Sequence, residues 1–159
     1  MSRTATRRPR RVSPTVLKLS SLMRRTASAT FRRELGLQPA EWRALALIGD
    51  DGPLSHGELC DLMAQDKGQV SRVVTALVAE GMVARRVEGR RVTLSLGAAG
   101  RPIYRRLTAL SHERNRRLLA GLQPEEVAVL FRCLDVMTRN AQQLMVSESE
   151  ALLSRRRPA

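Results

Sequence analysis

Aromatic side chains are scarce in this sequence, and their scarcity argues against one way of binding nucleic acid. Phe, Trp and Tyr together make up 3% of the 159 residues. Proteins that hold single strands by base stacking need aromatic rings on their surface. If the chain binds nucleic acid, we therefore expect its partner to be a duplex.

Long apolar runs and known catalytic motifs are also missing. No apolar stretch approaches the length of a membrane span, and Lys18 interrupts what would have to be the apolar core of a signal peptide. The adjacent carboxylates Asp50 and Asp51 lie in a predicted turn, where neighbouring side chains diverge. No phosphate-binding glycine motif, nucleophile elbow or metalloprotease helix is present. We predict a cytoplasmic protein that is not an enzyme and needs no cofactor.

Cysteine and histidine occur only twice each. Cys60 and Cys133 are far apart and stand beside core-type positions, so we predict two buried thiols. His56 and Cys60 have the i, i+4 spacing of metal ligands, but a zinc site needs three or four ligands. His112 has no evident partner. We therefore predict no metal site.

Acidic residues are outnumbered by basic ones. The chain has 28 Lys and Arg against 15 Asp and Glu, a net charge of +13. Such an excess favours a polyanionic partner, either nucleic acid or an acidic membrane surface. We predict that residues 1–11 are a disordered arm and residues 148–159 a basic tail. The arm is either a solvated charge run or a segment that grips DNA.

Residues 65–81 are the most informative stretch. Its apolar residues recur with the spacing of one helix face and predict a buried stripe: Val70, Val73, Val74, Leu77 and Val78. The opposite side carries groups that suit phosphates and base edges in a major groove: Gly68, Ser71, Arg72 and Thr75, with Gln69 at the edge. The spacing predicts a recognition helix.

The flanks of this helix support the interpretation. Asp66 is a suitable N-cap, Gln69 has capping-box spacing, and Gly81 is a helix stop. Upstream, Ser55 and Glu58 form a second capping box that opens a short helix. We expect that helix to turn three residues inward: Leu59, Leu62 and Met63. Two short helices joined at residues 64–66 make a helix-turn-helix.

The segment after the recognition helix predicts a β-hairpin. Apolar residues alternate with polar ones around a Glu88-Gly89 loop. The apolar positions are Val83, Val87, Val92, Leu94 and Leu96, and the polar ones are Arg86, Arg91, Thr93 and Ser95. Helix, turn, helix and hairpin together predict a winged helix-turn-helix.

Several motifs of the sequence resemble those of the MarR family of bacterial transcription regulators. The similar motifs are Asp-Lys-Gly-Gln-Val-Ser-Arg-Val-Val at 66–74, Glu-Gly-Met-Val at 80–83, Arg-Arg-Val-Thr-Leu-Ser-Leu at 90–96 and Gly-Arg at 100–101. The resemblance extends from about Val16 to Met145. The wing is shorter than is usual in the family and lacks its Asp-x-Arg-Arg segment.

The remaining chain predicts further helices. Ser13-Pro14 should open a helix to about residue 35, Pro39 a second, and Arg101 a long one. The last helix, from Gln123, carries a 3,4 seam typical of helices that pack lengthwise: Val127, Leu130, Leu134, Met137, Ala141 and Leu144.

We predict that residues 12–147 form one domain. Its fold is mainly α (an α+β winged helix-turn-helix), with about six helices and a two-stranded wing. The resemblance implies a homodimer formed by helices 13–35 and 101–147 around a DNA-binding lobe at 38–97.

We predict a set of residues that contact DNA, with Arg72 as the main base or phosphate contact. Residues at the start of the preceding helix would hold a phosphate, and wing arginines would contact the backbone or minor groove. Alternatively, Arg86 and Arg91 only solvate the hairpin. The full set is Ser55, His56, Lys67, Gln69, Ser71, Arg72, Thr75, Arg86, Arg90 and Arg91.

Three function classes follow. The first is a homodimeric transcription regulator, expected to be a repressor, that reads a palindromic operator in double-stranded DNA. The resemblance implies a small aromatic acid or phenolic effector, and Trp42, Arg24 and Arg25 are candidate ligand contacts. The second is a ligand-independent architectural or nucleoid-type DNA-binding protein. The third is an interaction module whose winged helix contacts protein.

Overall fold

The computed structural model describes residues 11–89 and 91–155, which form six helices and a small antiparallel sheet. Most of the predicted arm, Arg90 of the wing and the last four residues lie outside the described residues. The elements are α1 Val12–Leu35, α2 Pro39–Asp51, β1 Leu54–Ser55, α3 His56–Met63, α4 Lys67–Ala79, β2 Val83–Glu88, β3 Arg91–Leu96, α5 Gly100–Leu118 and α6 Pro124–Arg155. The mainly α winged helix fold predicted from the sequence is confirmed.

Local signals set most helix ends. Gly36 takes a left-handed conformation (φ 71°) and its N–H bonds the Arg32 carbonyl, which ends α1. Ser55 and Asp66 cap α3 and α4 as predicted. The predicted start of α1 at Ser13-Pro14 is wrong, because the helix begins at Val12. Proline is tolerated throughout a first helical turn, whose N–H groups have no partner within the helix.

The sheet has three strands in the order β1-β3-β2. The two-stranded wing is present, and β1 is an additional two-residue strand that pairs with β3 at Leu54↔Leu94. The wing loop lies one residue later than predicted, because Glu88 pairs with Arg91. Gly89 has φ 59°, which suits the first position of a tight hairpin turn.

Of the described residues, those from Arg11 to Ser111 form one compact unit with a single core. Helices α2, α3 and α4 and the sheet supply its most deeply buried side chains, each less than 2% exposed: Leu45, Leu59, Met63, Leu77, Leu94 and Val70. In α3 the prediction was wrong at Leu62, which is 46% exposed, while Cys60 is buried. A helix of eight residues buries only a narrow stripe, and Leu62 falls at its margin.

The described residues from His112 to Arg155 form a second unit, which consists of the end of α5 and of α6. Helix α6 continues to Arg155, beyond the predicted boundary at 147. From Pro124 to Glu150 its side chains are exposed in the single chain except Val127, which is half-buried. Cys133 is therefore an exposed thiol, and the prediction of two buried thiols was wrong for it. Within the described part of the chain, no helix has the length and apolar content needed to cross a bilayer.

Candidate nucleic-acid interface

Helix α4 presents two different sides. Val70, Val74 and Leu77 are buried, and Val73 and Val78 are half-buried. The predicted contact residues are all exposed: Lys67, Gln69, Ser71, Arg72 and Thr75. The helix contains no Asp or Glu. This side therefore offers a phosphate two cationic side chains, Lys67 and Arg72, and several hydrogen-bonding groups, without a repelling charge.

Asp66, the residue directly before α4, is used as its N-cap. Its Oδ1 accepts a hydrogen bond from the Gln69 backbone N–H at 2.9 Å. The Arg72 guanidinium lies back along the helix, where Nε donates to the Gly68 carbonyl at 3.3 Å. Because this contact is exposed and long, the guanidinium can leave it at small cost to reach a base or phosphate.

The turn between α3 and α4 is held by backbone and side-chain bonds. Ala64 has φ 51°, and the Gln65 N–H bonds the Cys60 carbonyl at 3.3 Å. From α2, Arg43 Nη2 donates to the Met63 carbonyl at 3.1 Å. This bond satisfies a carbonyl that the end of α3 leaves unpaired. Arg43 thus fixes the turn that sets the angle of α4.

Arg43 was missed in the sequence, although a signal for it exists. It stands in an otherwise apolar stretch of α2, between Trp42 and the buried pair Ala44 and Leu45. A charged residue among core positions needs a hydrogen-bonding partner when it is partly buried. Its partner is 20 residues away in sequence, and no local pattern identifies it.

The start of α3 carries two predicted contacts, Ser55 and His56. The Ser55 N–H donates to Glu58 Oε2 at 2.7 Å, and the Glu58 N–H donates to Ser55 Oγ at 3.2 Å. These bonds, with a smaller contribution from the charge of Arg91, hold the pKa of Glu58 below its usual value. His56 Nδ1 lies 3.5 Å from Cys60 Sγ, and its Nε2 is buried with no partner among the described residues.

The wing arginines fall on two faces of the sheet. Residues paired across antiparallel strands share a face, so Ser55, Thr93 and Arg86 form one row across the three strands. Arg91 belongs to the same face, two residues from Thr93. This outer face is opposite the one that carries the buried Leu94. The structure therefore groups Ser55, Arg86 and Arg91, and it leaves Arg90 undescribed.

Arg85 was not among the predicted contacts. It pairs with Leu94 and so belongs to the sheet face that packs on the helices, yet its side chain is exposed at the edge strand β2. Strand alternation predicts opposite directions for Arg85 and Arg86. That alternation, applied to both arginines, would have identified Arg85 as the wing arginine on the helix side.

The residues proposed for an effector lie on two helices, Arg24 and Arg25 on α1 and Trp42 on α2. The Trp42 ring lies 4.8 Å from that of Phe31 with a 52° tilt, and its Nε1 is buried with no partner among the described residues. Arg24 and Arg25 are exposed on α1. Their role stays a prediction.

Other polar clusters have structural roles. The Tyr104 hydroxyl donates to Asp50 at 2.5 Å, which raises the pKa of Tyr104. In the described ranges no three His, Cys, Asp or Glu side chains are grouped as metal ligands would be. His56 and Cys60 remain a pair without a third ligand.

A capped helix-turn-helix followed by a two-stranded wing defines a winged helix protein. Residues 35–91 match the sequence profile of the MarR family. This match covers the helix-turn-helix and most of the wing, the part of the chain that carries most of the motifs similar to this family. No curated protein sequence matches the chain at a significant level.

Solved structures with the same fold include several regulators. A MarR family transcriptional regulator from Silicibacter pomeroyi is 27% identical, with 81% of this chain and 89% of that one covered and a TM-score of 0.71. A MarR/EmrR family regulator from Acinetobacter sp. ADP1 is 21% identical, with coverage of 82% and 94% and a TM-score of 0.74. A MarR family regulator from Listeria monocytogenes, solved with a 26mer DNA, is 17% identical, with coverage of 88% and 96% and a TM-score of 0.75.

Proposed function

We propose that the chain is a homodimeric transcription regulator that binds a palindromic operator in duplex DNA. The observation that carries the proposal is the exposed, acid-free side of α4, held outward by a buried valine stripe. The Listeria neighbour, which is complexed with DNA, has the same fold and supports this choice of partner. The net charge of +13 would draw the chain to DNA at long range.

Dimerisation is supported by the apolar side chains left exposed on two helices. In α1, Leu17 is 70% exposed, and in α6, Leu144 and Met145 are 65% and 66% exposed. An apolar helix face left exposed in this way is a surface that a partner can cover. A second copy would bury it and would present two recognition helices to two half-sites about one helical turn apart.

The test is binding of the full chain to an operator selected from random sequence. We expect Arg72→Ala to weaken specific binding by about 1 to 3 kcal/mol if Arg72 reads a base. Arg72→Lys is the matched control, because it keeps the charge and loses the bidentate geometry. Equal operator affinity for wild type and Arg72→Ala would remove Arg72 from the interface.

Salt dependence separates backbone contacts from base contacts. Each phosphate contact that is lost should reduce the slope of log K against log salt by about 0.9. We expect this change for Arg86→Ala and Arg91→Ala. If both slopes equal the wild-type slope, these two arginines only solvate the hairpin.

We expect the regulator to repress transcription, because a dimer bound at a promoter blocks the access of RNA polymerase. A small aromatic or phenolic effector near Trp42, Arg24 and Arg25 would act through unequal affinity for the DNA-bound and free arrangements. A transcription assay on the selected operator, with and without such acids, tests both points. Activation, or an unchanged output with every acid, would contradict them.

The alternative is a ligand-independent architectural protein, which the strong positive charge favours. Such a protein gains affinity from the DNA backbone and shows little sequence preference. Footprinting against an excess of random-sequence DNA distinguishes the two functions. A protected site that survives the competitor supports the regulator, and uniform loss of protection supports the architectural protein.

A further inference from the structure

A cleft of about 530 Å³ lies beside the outer face of the wing. Ligand sites in proteins commonly have volumes of about 300 to 1,000 Å³. One wall is the end of α2 with the following Pro53, and the other is the sheet face that carries Arg86, Arg91 and Thr93. Arg101, at the start of α5, also lines it. The cleft is separate from the exposed side of α4.

Strand geometry explains why polar groups converge in this cleft. Arg91, Thr93 and Ser95 alternate along β3 and share one face, and Arg86 pairs with Thr93 from β2. Their neighbour Leu94 is buried on the other face. The strand register therefore places the guanidiniums of Arg86 and Arg91 and the hydroxyls of Thr93 and Ser95 on the same wall of the cleft.

The position of Arg101 is fixed by the backbone before it. The Gly97 N–H donates to the Met82 carbonyl at 2.8 Å, and the Arg101 N–H donates to the Gly97 carbonyl at 3.1 Å. A Cβ atom added at Gly97 or Gly100 would lie 2.2 Å or 1.9 Å from backbone oxygens of Gly81 and Met82. This close approach ties the start of α5 to the chain directly after α4.

The positive charge of the cleft favours an anionic ligand. Three guanidiniums line it, and no carboxylate is found among the described lining residues. A carboxylate has one charge and two oxygens, whereas a phosphomonoester carries nearly two charges and three terminal oxygens. Ile48, Pro53 and Leu96 add an apolar part to the lining. The lining thus matches a phosphate group attached to a compact apolar body.

We propose that this cleft is a binding site for a small organic phosphomonoester, with the phosphate held by Arg86, Arg91 and Arg101. The hydroxyls of Thr93 and Ser95 donate to its remaining oxygens, and the apolar body packs toward Ile48 and Pro53. Such a ligand would use two arginines that the proposed function assigns to DNA. Bound phosphomonoester therefore weakens DNA binding, and this consequence alone rests on the proposed function.

The direct test is calorimetric titration of the full chain with phenyl phosphate at constant ionic strength, without DNA. We expect phenyl phosphate to bind more tightly than benzoate, which shares the ring, and than inorganic phosphate, which lacks it. Arg101→Ala should weaken phenyl phosphate binding about tenfold or more, because it removes a charge-assisted contact. Arg105→Ala is the matched control, since Arg105 is exposed one turn further along α5 and does not line the cleft.

The proposal is overturned if Arg101→Ala and Arg105→Ala have equal effects, because binding would then reflect net charge alone. Equal affinity for phenyl phosphate and benzoate would also overturn it. Thr93→Val removes a hydroxyl without changing the charge, and a several-fold loss with this variant supports a local site. Far-UV circular dichroism confirms that each variant is folded.

A DNA-binding measurement on the same variants shows whether the cleft binds a free phosphomonoester or a phosphate of the DNA backbone. If wild type does not bind phenyl phosphate while Arg101→Ala weakens DNA binding, the cleft takes a DNA phosphate and the proposal fails. If phenyl phosphate binds through Arg101 and DNA binding is absent altogether, the site stands and the proposed regulator function fails. Competition of phenyl phosphate with operator DNA supports both.

Discussion

The winged helix lobe and helix α6 use their apolar residues in opposite ways. In the lobe, Leu77 and Leu94 are each 1% exposed, and the short helices pack on one another and on the sheet. In α6, Leu134 and Val136 are each 40% exposed, and only Val127 in its seam is half-buried. The lobe buries its own apolar side chains, while most of the described apolar side chains of α6 stay exposed in the single chain.

This difference indicates what each region contributes. Leu77 holds the exposed side of α4 in place through contacts within one chain, so the lobe can be rigid as a monomer. A 32-residue helix with an exposed apolar seam gains little stability alone. In the proposed dimer, α6 would set the distance between the two DNA-binding lobes. Substitutions in each region test this division.

The largest effect is expected from the core of the lobe. Leu77→Ala should lower the free energy of unfolding by about 2 to 5 kcal/mol, because it removes a fully buried side chain and leaves a cavity. Urea denaturation followed by circular dichroism measures the loss. The destabilisation should be independent of protein concentration. A loss that shrinks as the chain is concentrated would show that the lobe also depends on association.

The seam of α6 should behave differently. Leu134→Asn should weaken dimerisation by about 100-fold or more, since a two-fold interface loses the apolar contact twice. Analytical ultracentrifugation measures the dissociation constant. Operator affinity should fall with it, because linked half-sites gain from effective concentration.

The matched control for this variant is Val136→Asn. Val136 has the same exposure as Leu134 but stands outside the 3,4 seam. We expect it to leave the dissociation constant within a few-fold of wild type. Equal weakening by the two variants would contradict the seam, and a chain that stays monomeric in wild type would contradict the dimer itself.

Much of the lobe could be predicted because its signals are local. Ser55 with Glu58 and Asp66 with Gln69 are three residues apart, and their hydrogen bonds form within one turn. The valine stripe of α4 follows from helix periodicity alone, and Gly36 marks a helix end by its backbone conformation. These features need no knowledge of distant residues.

The remaining features depend on tertiary contacts. Strand β1 has two residues, too few for a pattern, and exists because Leu54 pairs with Leu94, 40 positions further on. The Arg43 contact with Met63 also joins separate elements. Cys133 follows core-type spacing and is nevertheless exposed in the single chain. Apolar spacing identifies a surface to be covered, but it does not say whether the same chain covers it.

The turn between α3 and α4 links lobe stability to function. Arg43→Ala should lower the free energy of unfolding by about 1.5 to 3 kcal/mol, the range for hydrogen bonds from charged groups. Operator affinity should fall as well, because α4 loses a fixed angle. Ala64→Gly is the companion variant, since its left-handed backbone strains alanine, and we expect it to stabilise the lobe by about 0.5 to 1 kcal/mol. If Arg43→Ala destabilises the lobe but leaves DNA affinity unchanged, Arg43 does not position α4.

The smallest effect concerns the capping carboxylates, and it compares the two regions directly. Glu58 accepts from the Ser55 N–H in the lobe, and Glu126 accepts from the Gln123 N–H at 2.8 Å at the start of α6. The folded-state pKa of Glu58 is held below 4.5, first by its bond to the Ser55 backbone. Its contribution is therefore present above pH 4.5 and is lost as the pH falls through the lower, folded pKa.

Glu58→Gln should accordingly lower the urea midpoint of the lobe at neutral pH, and the difference from wild type should vanish in acid. Glu126→Gln removes the equivalent carboxylate from α6 and should leave the unfolding of the lobe unchanged at every pH. Parallel titrations of the two variants measure both effects. If Glu126→Gln shifts the lobe midpoint as much as Glu58→Gln does, the two regions unfold as one unit. The stability of the lobe would then depend on α6, and the division between the two regions would be wrong.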